Sequence, residues 1–126
     1  MKKKVLVVDD ETAFLRIVKL NLEETNNYEV LTLSSAEDIL FQVHAFKPDI
    51  ILLDILLPGI KGLEACEMLN KDSIGASTPI IILSALDKVT DKLRAFKVGV
   101  VDYLVKPIGK EELIAKIEKA LRAKNP

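Results

Sequence analysis

The stretch VLVVDDE, residues 5–11, decides the fold class of this 126-residue chain. Its four aliphatic residues, three of them β-branched, are typical of a strand buried on both faces, as in a parallel sheet. Three acids follow at once: Asp9, Asp10 and Glu11. Because like charges at adjacent positions repel, these acids need both a role and a compensating group.

Other apolar stretches extend this pattern along the chain. Apolar runs predict strands over 49–54, 80–83 and 102–105, and alternation predicts one over 28–33. Helical spacing between them predicts helices over 12–26, 34–47, 62–70, 89–98 and 111–123. Ser34 or Ser35 is expected to cap the second helix, with Glu37 and Asp38 in its first turn.

Strands and helices therefore alternate five times, with short connections. This order is typical of an α/β fold in which right-handed crossovers place helices on both faces of a parallel sheet. The expected fold is flavodoxin-like: a doubly wound, five-stranded parallel sheet in strand order 2-1-3-4-5, with five helices. We expect one domain over residues 1–126 and no effector domain.

The composition narrows the classes of partner. Basic and acidic residues nearly cancel, 18 against 19, so the chain has no general attraction to nucleic acid or to a membrane. The single cysteine, Cys66, excludes an intramolecular disulfide and argues against a structural zinc site. No signal-peptide pattern is present, and the longest apolar stretch, 50–57, is too short to span a bilayer. A cytoplasmic location is expected.

Four of the predicted strands end in residues that can bind metal or phosphate. Asp9 and Asp10 end the first strand, Asp54 the third, Ser84 the fourth and Lys106 the fifth. Ligands of such sheets bind at these ends, beside the switch point between strands 1 and 3. Three carboxylates together need a cation, and all-oxygen ligation suits Mg²⁺ or Mn²⁺. A lysine and a hydroxyl suit phosphate oxygens, and a carboxylate can form an acyl phosphate, so this edge predicts phosphoryl transfer.

These motifs together carry a resemblance to a known family. The chain resembles the receiver domain of bacterial two-component response regulators, including the chemotaxis regulators, over essentially its whole length. Each motif is short and common by itself, but their order and their positions at strand ends are specific. The matching residues are Asp9-Asp10, Asp54 followed by Pro58-Gly59, Ser84-Ala85, and Tyr103 ahead of Lys106-Pro107.

The resemblance implies a phosphoacceptor and a metal site. Asp54 would accept the phosphoryl group from a sensor histidine kinase or a phosphotransfer protein. Asp10 would bind Mg²⁺ (or Mn²⁺) directly and Asp9 through water, and Asp54 and the backbone carbonyl of Leu56 would complete the metal site. The chain would assist its own phosphorylation and dephosphorylation without being an enzyme for other substrates.

The resemblance also implies a switch. Ser84 and Lys106 would contact the phosphoryl group, helped by backbone amides near Ile55 and Ala85. On phosphorylation the Ser84 hydroxyl would move inwards and Tyr103 would turn from exposed to buried. The surface of helix 4, strand 5 and helix 5 would then change its contacts with a downstream protein or an effector domain, or in a phosphorylation-linked homodimer. This domain itself would not contact nucleic acid or membrane.

Some residues depart from the family's common pattern or stand outside it. Lys61 and Val100 replace residues that the family often has, which affects details of the switch and not the five site residues. We interpret His44 as a surface or boundary residue and Cys66 as a small apolar helix residue. Leu56 and Leu86 flank the site, and we hypothesise that they keep water from the acyl phosphate.

Three other functions fit the sequence less well. A haloacid-dehalogenase-type phosphatase needs a second acid two residues after its nucleophile, where this chain has Leu56. A flavin or nucleotide binder would have a phosphate-binding loop rich in Gly, Ser or Thr after strand 1, not three acids. A non-phosphorylated pseudo-receiver that serves as a protein-interaction module is the remaining alternative, and it would be expected to lack one or more of the site residues.

Overall fold

The computed structural model describes residues 1–124, and in them strands and helices alternate as predicted. The strands are β1 (Lys3–Val8), β2 (Tyr28–Leu33), β3 (Ile50–Leu53), β4 (Ile80–Ser84) and β5 (Asp102–Val105). The helices are α1 (Thr12–Glu23), α2 (Ile39–Phe46), α3 (Gly62–Asn70), α4 (Val89–Lys97) and α5 (Lys110–Lys124), with a 3-10 turn at Gly75–Ser77.

The five strands form one parallel sheet in the order β2-β1-β3-β4-β5, which confirms the predicted topology. In the register of this sheet Val8 pairs with both Leu33 and Leu53, so β1 and β3 end side by side. The backbone N–H of Asp54 donates to the carbonyl of Val8 at 3.0 Å. Because β1 and β3 are parallel neighbours, the first residues after both strands lie side by side at one edge of the sheet.

The sheet is covered on both faces, because its strands send alternate aliphatic residues to each side. One face packs against α2, α3 and α4, and its strand residues include Leu6, Val8, Ile51, Leu53 and Ile82. The other face packs against α1 and α5, and its strand residues include Val5, Val7, Ile50, Leu52 and Ile81. Among residues 1–124, no helix is both long and apolar enough to cross a membrane.

Two predicted boundaries were wrong. The second helix begins at Ile39, not at a cap on Ser34 or Ser35, so the acids at 37 and 38 precede it. The reason is tertiary: Ala36 is fully buried in the core, and its carbonyl accepts the N–H of Ile39 at 3.1 Å in a turn that delays the helix. The first helix ends at Glu23, ahead of a turn in which Asn26 has a φ of 64°.

Candidate functional site

Two carboxylates lie buried where β1 and β3 end. Asp9 is 1% exposed and Asp54 is 5% exposed. A third carboxylate, that of Glu11, joins them, and one oxygen from each of the three lies within 4.8 Å of the others. Buried carboxylates are costly unless they are paired, so this cluster needs a positive charge beside it.

The compensating charge in this structure is Lys106, from the segment that follows β5. Its Nζ donates to Asp9 Oδ2 at 2.6 Å, to Glu11 Oε1 at 3.1 Å and to Asp54 Oδ2 at 3.4 Å. The same ammonium lies 4.3 Å from the centre of the Phe14 ring, a cation–π distance. Burial alone would lower the pKa of Lys106, but its hydrogen bonds to Asp9 and Glu11 and the charge of Asp54 outweigh that effect and raise it.

Asp54 is held by donors on both of its oxygens. The backbone N–H of Leu56 donates to Oδ1 at 3.0 Å, and Lys106 reaches Oδ2. Burial raises the pKa of Asp54, and the Leu56 hydrogen bond and the Lys106 charge offset this only in part. An ionised Asp54 is therefore a poorly hydrated carboxylate whose charge a cation can neutralise.

Ser84 and Tyr103 lie on the neighbouring strands β4 and β5, and both form hydrogen bonds with the backbone of Leu86. Ser84 is fully buried at the end of β4, and its Oγ accepts the N–H of Leu86 at 3.2 Å. Tyr103 is 8% exposed and donates its hydroxyl to the carbonyl of Leu86 at 2.7 Å. Burial raises the pKa of Tyr103, against an opposing contribution from the Ser84 hydroxyl. Both ends of the predicted switch thus meet at Leu86, and the tyrosine occupies its buried position here.

Two of the residues that the resemblance assigns to a metal, Asp10 and Leu56, are exposed, whereas Asp9 and Asp54 are buried. Asp10 is exposed, and it does not belong to the carboxylate cluster found among the described residues. Leu56 exposes about half of its side chain. Its N–H is engaged with Asp54, whereas the ligand role predicted for its carbonyl remains a prediction, as does direct ligation by Asp10.

The cluster nevertheless suits a divalent cation. Its donors are carboxylate oxygens, the preferred ligands of Mg²⁺ and Mn²⁺, and they come from two different loops. Asp9, Glu11 and Asp54 ionised beside one ammonium carry a formal charge of −2, which a divalent ion would balance. The residues present therefore fit the metal that the sequence predicts.

The loop between β3 and α3 is held against the site by Gly62. The N–H of Gly62 donates to the carbonyl of Ile55 at 3.0 Å. A Cβ at this position would collide with the carbonyl oxygen of Asp54 and lie 2.6 Å from the Cα of Ile55. Close backbone approach at Gly62 therefore sets where Asp54 and Leu56 sit.

Two reactive side chains lie outside this cluster. Cys66 is fully buried in α3, and burial raises the pKa of its thiol to about 12, so it stays protonated. His44 is half-exposed and its Nε2 lies 2.7 Å from Asp72 Oδ1, in agreement with a surface position.

Sequence reasoning assigned no role to Glu11 or Phe14, although both contact Lys106. Glu11 was visible as the third of three consecutive acids, and that was the only signal. Nothing in the sequence pattern indicated that Phe14 would lie under the ammonium.

The chain is similar in sequence to known proteins. A family model described as the response regulator receiver domain matches residues 5–118. The alkaline phosphatase synthesis transcriptional regulatory protein PhoP of Bacillus subtilis (strain 168) is 38% identical over 97% of this chain and 50% of its own length. The protein named "Probable transcriptional regulator ycf27" of Guillardia theta is 40% identical over 98% of this chain and 47% of its own length.

A solved structure has the same fold. The receiver domain of the Francisella response regulator 1452 superposes with a TM-score of 0.89 at 32% identity, covering 98% of this chain and 100% of that one. The chain spans about half the length of the curated relatives it matches.

Proposed function

The chain belongs to the response regulator receiver domain family of two-component signalling, and we propose that it is a phosphorylation-dependent switch whose phosphoacceptor is Asp54. One observation carries the proposal: the buried Asp54 carboxylate is contacted by Lys106 Nζ at 3.4 Å and lies within one cluster with two further carboxylates. Nucleophile, ammonium and metal-binding oxygens are the parts that phosphoryl transfer to a carboxylate requires.

In the transfer step, a carboxylate oxygen of Asp54 attacks the phosphorus of a phosphohistidine on a sensor histidine kinase or a phosphotransfer protein. The bond from phosphorus to the imidazole nitrogen breaks, and the electron pair stays on that nitrogen. The product is an acyl phosphate on Asp54. Lys106 and Ser84 would bind the phosphoryl oxygens, with the backbone amides of Ile55 and Ala85 as further donors.

Asp9, Asp10, Asp54 and the Leu56 carbonyl would hold Mg²⁺ or Mn²⁺. The metal would supply positive charge that, together with the Lys106 ammonium, would neutralise the phosphoryl oxygens. The backbone N–H of Leu56 already orients the Asp54 carboxylate, because it donates to Oδ1 at 3.0 Å.

The donor protein would approach over an apolar surface beside the site. A cavity of about 450 Å³ borders Lys106, and its walls are mainly apolar: Phe14, Ile17, Ala85, Pro107 and Ile108. Ile17 and Leu20, on the exposed side of α1, are more than half exposed. Such a patch next to a reactive group is typical of a protein-docking surface.

The conformational change on phosphorylation would be transmitted through Tyr103 to the surface of α4. Ser84 and Tyr103 share contacts with Leu86, so a phosphoryl group that binds the Ser84 hydroxyl would bias the position of the ring. The neighbouring α4 exposes an apolar stripe, formed by Val89, Leu93 and Phe96. This face would bind a downstream protein, an effector domain of a longer chain, or a second copy in a phosphorylation-linked homodimer.

The proposal predicts phosphorylation without a kinase. Incubating the chain with acetyl phosphate and Mg²⁺ should add one phosphoryl group per molecule, measured as intact mass, and a chelator should prevent it. No adduct in a protein shown to be folded would contradict the proposal and favour the non-phosphorylated interaction module.

The two flanking leucines provide a second test. Leu56 exposes 51% of its surface, whereas Leu86 is half-buried against the core. If they exclude water from the acyl phosphate, the double variant Leu56→Asn, Leu86→Gln should lose phosphate about tenfold faster than the native chain. The expected increase in rate is smaller than the ~10² of a positioned general base, because the new side chains only admit water and do not activate it. Decay of the adduct is followed by intact mass after the donor is removed.

The control for this test is Leu20→Gln, which changes an exposed leucine of α1, 66% exposed. Its adduct should decay at the native rate. An unchanged rate in the double variant would refute the water-exclusion hypothesis and leave the switch proposal standing.

A further inference from the structure

Glu11 belongs to the carboxylate cluster, but the proposed mechanism does not assign it to the metal or to the phosphoryl group. Its side chain is 65% exposed, whereas the side chains of Asp9 and Asp54, with which it shares Lys106, are only 1% and 7% exposed. Lys106 therefore has two buried acceptors and one solvent-facing acceptor. This asymmetry means that the ammonium can move outwards without losing its last carboxylate partner.

The buried acceptors are the oxygens that a metal ion would need. Lys106 Nζ lies 2.6 Å from Asp9 Oδ2, and the other oxygen of Asp9 accepts the Glu11 N–H at 2.9 Å. Lys106 also reaches Asp54 Oδ2 at 3.4 Å. An ammonium and a divalent cation at the same oxygens repel each other strongly in a poorly hydrated site. Lys106 must therefore shift when the metal enters.

We propose that Glu11 is a positioning residue that accepts the Lys106 ammonium when a divalent cation binds at Asp9 and Asp54. The Nζ is already 3.1 Å from Glu11 Oε1 and lies 4.3 Å from the centre of the Phe14 ring, so the shift needs only a small movement of an ammonium that already contacts Glu11. Glu11 then neutralises the displaced ammonium, and Lys106 stays close enough to meet a phosphoryl group on Asp54. This inference rests on the proposed function, since it presupposes the metal site.

The proposal predicts an energetic coupling between Glu11 and Lys106 in metal binding. The Mg²⁺ dissociation constant is measured by titration calorimetry for the native chain, Glu11→Gln, Lys106→Met and the double variant. Glu11→Gln removes a nearby negative charge, so some loss of affinity is expected in both backgrounds. The loss should be larger by up to about fivefold when Lys106 is present, which is the most that an exposed ion pair is usually worth.

Two further variants keep the test decisive. Lys106→Gln replaces Lys106→Met if the latter fails to fold, because it is neutral yet still donates hydrogen bonds. Glu37→Gln is the charge control: Glu37 lies on another loop, near Gly59, and has no contact with Lys106 among residues 1–124. Its effect should be the same with and without Lys106.

Equal losses for Glu11→Gln in both backgrounds would overturn the inference, and so would a smaller loss when Lys106 is present. In either case, Mg²⁺ binding by the native chain would still support the metal site of the proposed function. If the native chain binds no Mg²⁺, the metal site of the proposed function fails, and the role of Glu11 fails with it.

Discussion

Replacing Gly62 by Ala should destabilise the fold by about 2 kcal/mol or more. The added Cβ meets the backbone of the site itself: it would collide with the carbonyl oxygen of Asp54 and lie 2.6 Å from the Cα of Ile55. Overpacking destabilises a fold by up to about 3 kcal/mol, and by more where the backbone must move. The better helix propensity of Ala offsets only about 1 kcal/mol of this loss.

The effect should reach the site as well as the fold, because the displaced loop carries Leu56, whose N–H orients Asp54. Urea unfolding measures the stability, and Mg²⁺ titration measures the site. The matched control is Gly109→Ala, since a Cβ there meets no atom within 4 Å, so its stability should change by no more than about 1 kcal/mol. If both variants behaved alike, close approach at Gly62 would not position the site.

Replacing Asp54 by Asn should abolish phosphorylation completely, because an amide nitrogen or oxygen does not replace the carboxylate nucleophile. The matched control is Asp49→Asn, just before β3, where the Asp49 carboxylate accepts the N–H of Lys4 at 2.7 Å. The control should gain one phosphoryl group like the native chain. Phosphorylation of the Asp54→Asn variant at the native rate would contradict the assignment.

The same variant tests a pH dependence of stability that Asp54 gives the native chain. Burial raises the pKa of Asp54 above that of the unfolded chain, so the stability from its protonated form is present at low pH and lost as pH rises through the folded-state pKa. Asn does not titrate. The Asp54→Asn variant should therefore gain in melting temperature relative to the native chain between the ordinary pKa of Asp, about 3.9, and neutral pH. A lower melting temperature of the variant over this pH range would mean that pairing with Lys106 stabilises the ionised carboxylate more than burial destabilises it.

The sheet and its order were predictable from the sequence because uninterrupted aliphatic runs leave few alternatives to strands buried on both faces. The start of α2 was not predictable, because Ser34, Ser35 and two acids favour a helix start locally. Burial of Ala36 is decided by residues distant in the sequence, and it moves the start to Ile39.

The site was predictable in part for a related reason. The topology brings the ends of β1 and β3 together, so Asp9 and Asp54 were expected at one point, and they are there. Which side chains complete the cluster depends on the loops after those strands. Glu11 contacts Lys106 and belongs to the cluster whereas Asp10 does not belong to it, and no periodicity in the sequence distinguishes the two acids.

The most direct test of the central claim is to locate the phosphoryl group. After treatment with acetyl phosphate and Mg²⁺, borohydride reduces an acyl phosphate of aspartate to homoserine, which peptide mass spectrometry places in the sequence. Homoserine at position 54, absent when the chelator is included, is the predicted result. Homoserine at position 9 or 10 instead, or none at all in a folded protein, would contradict the role of Asp54 as phosphoacceptor.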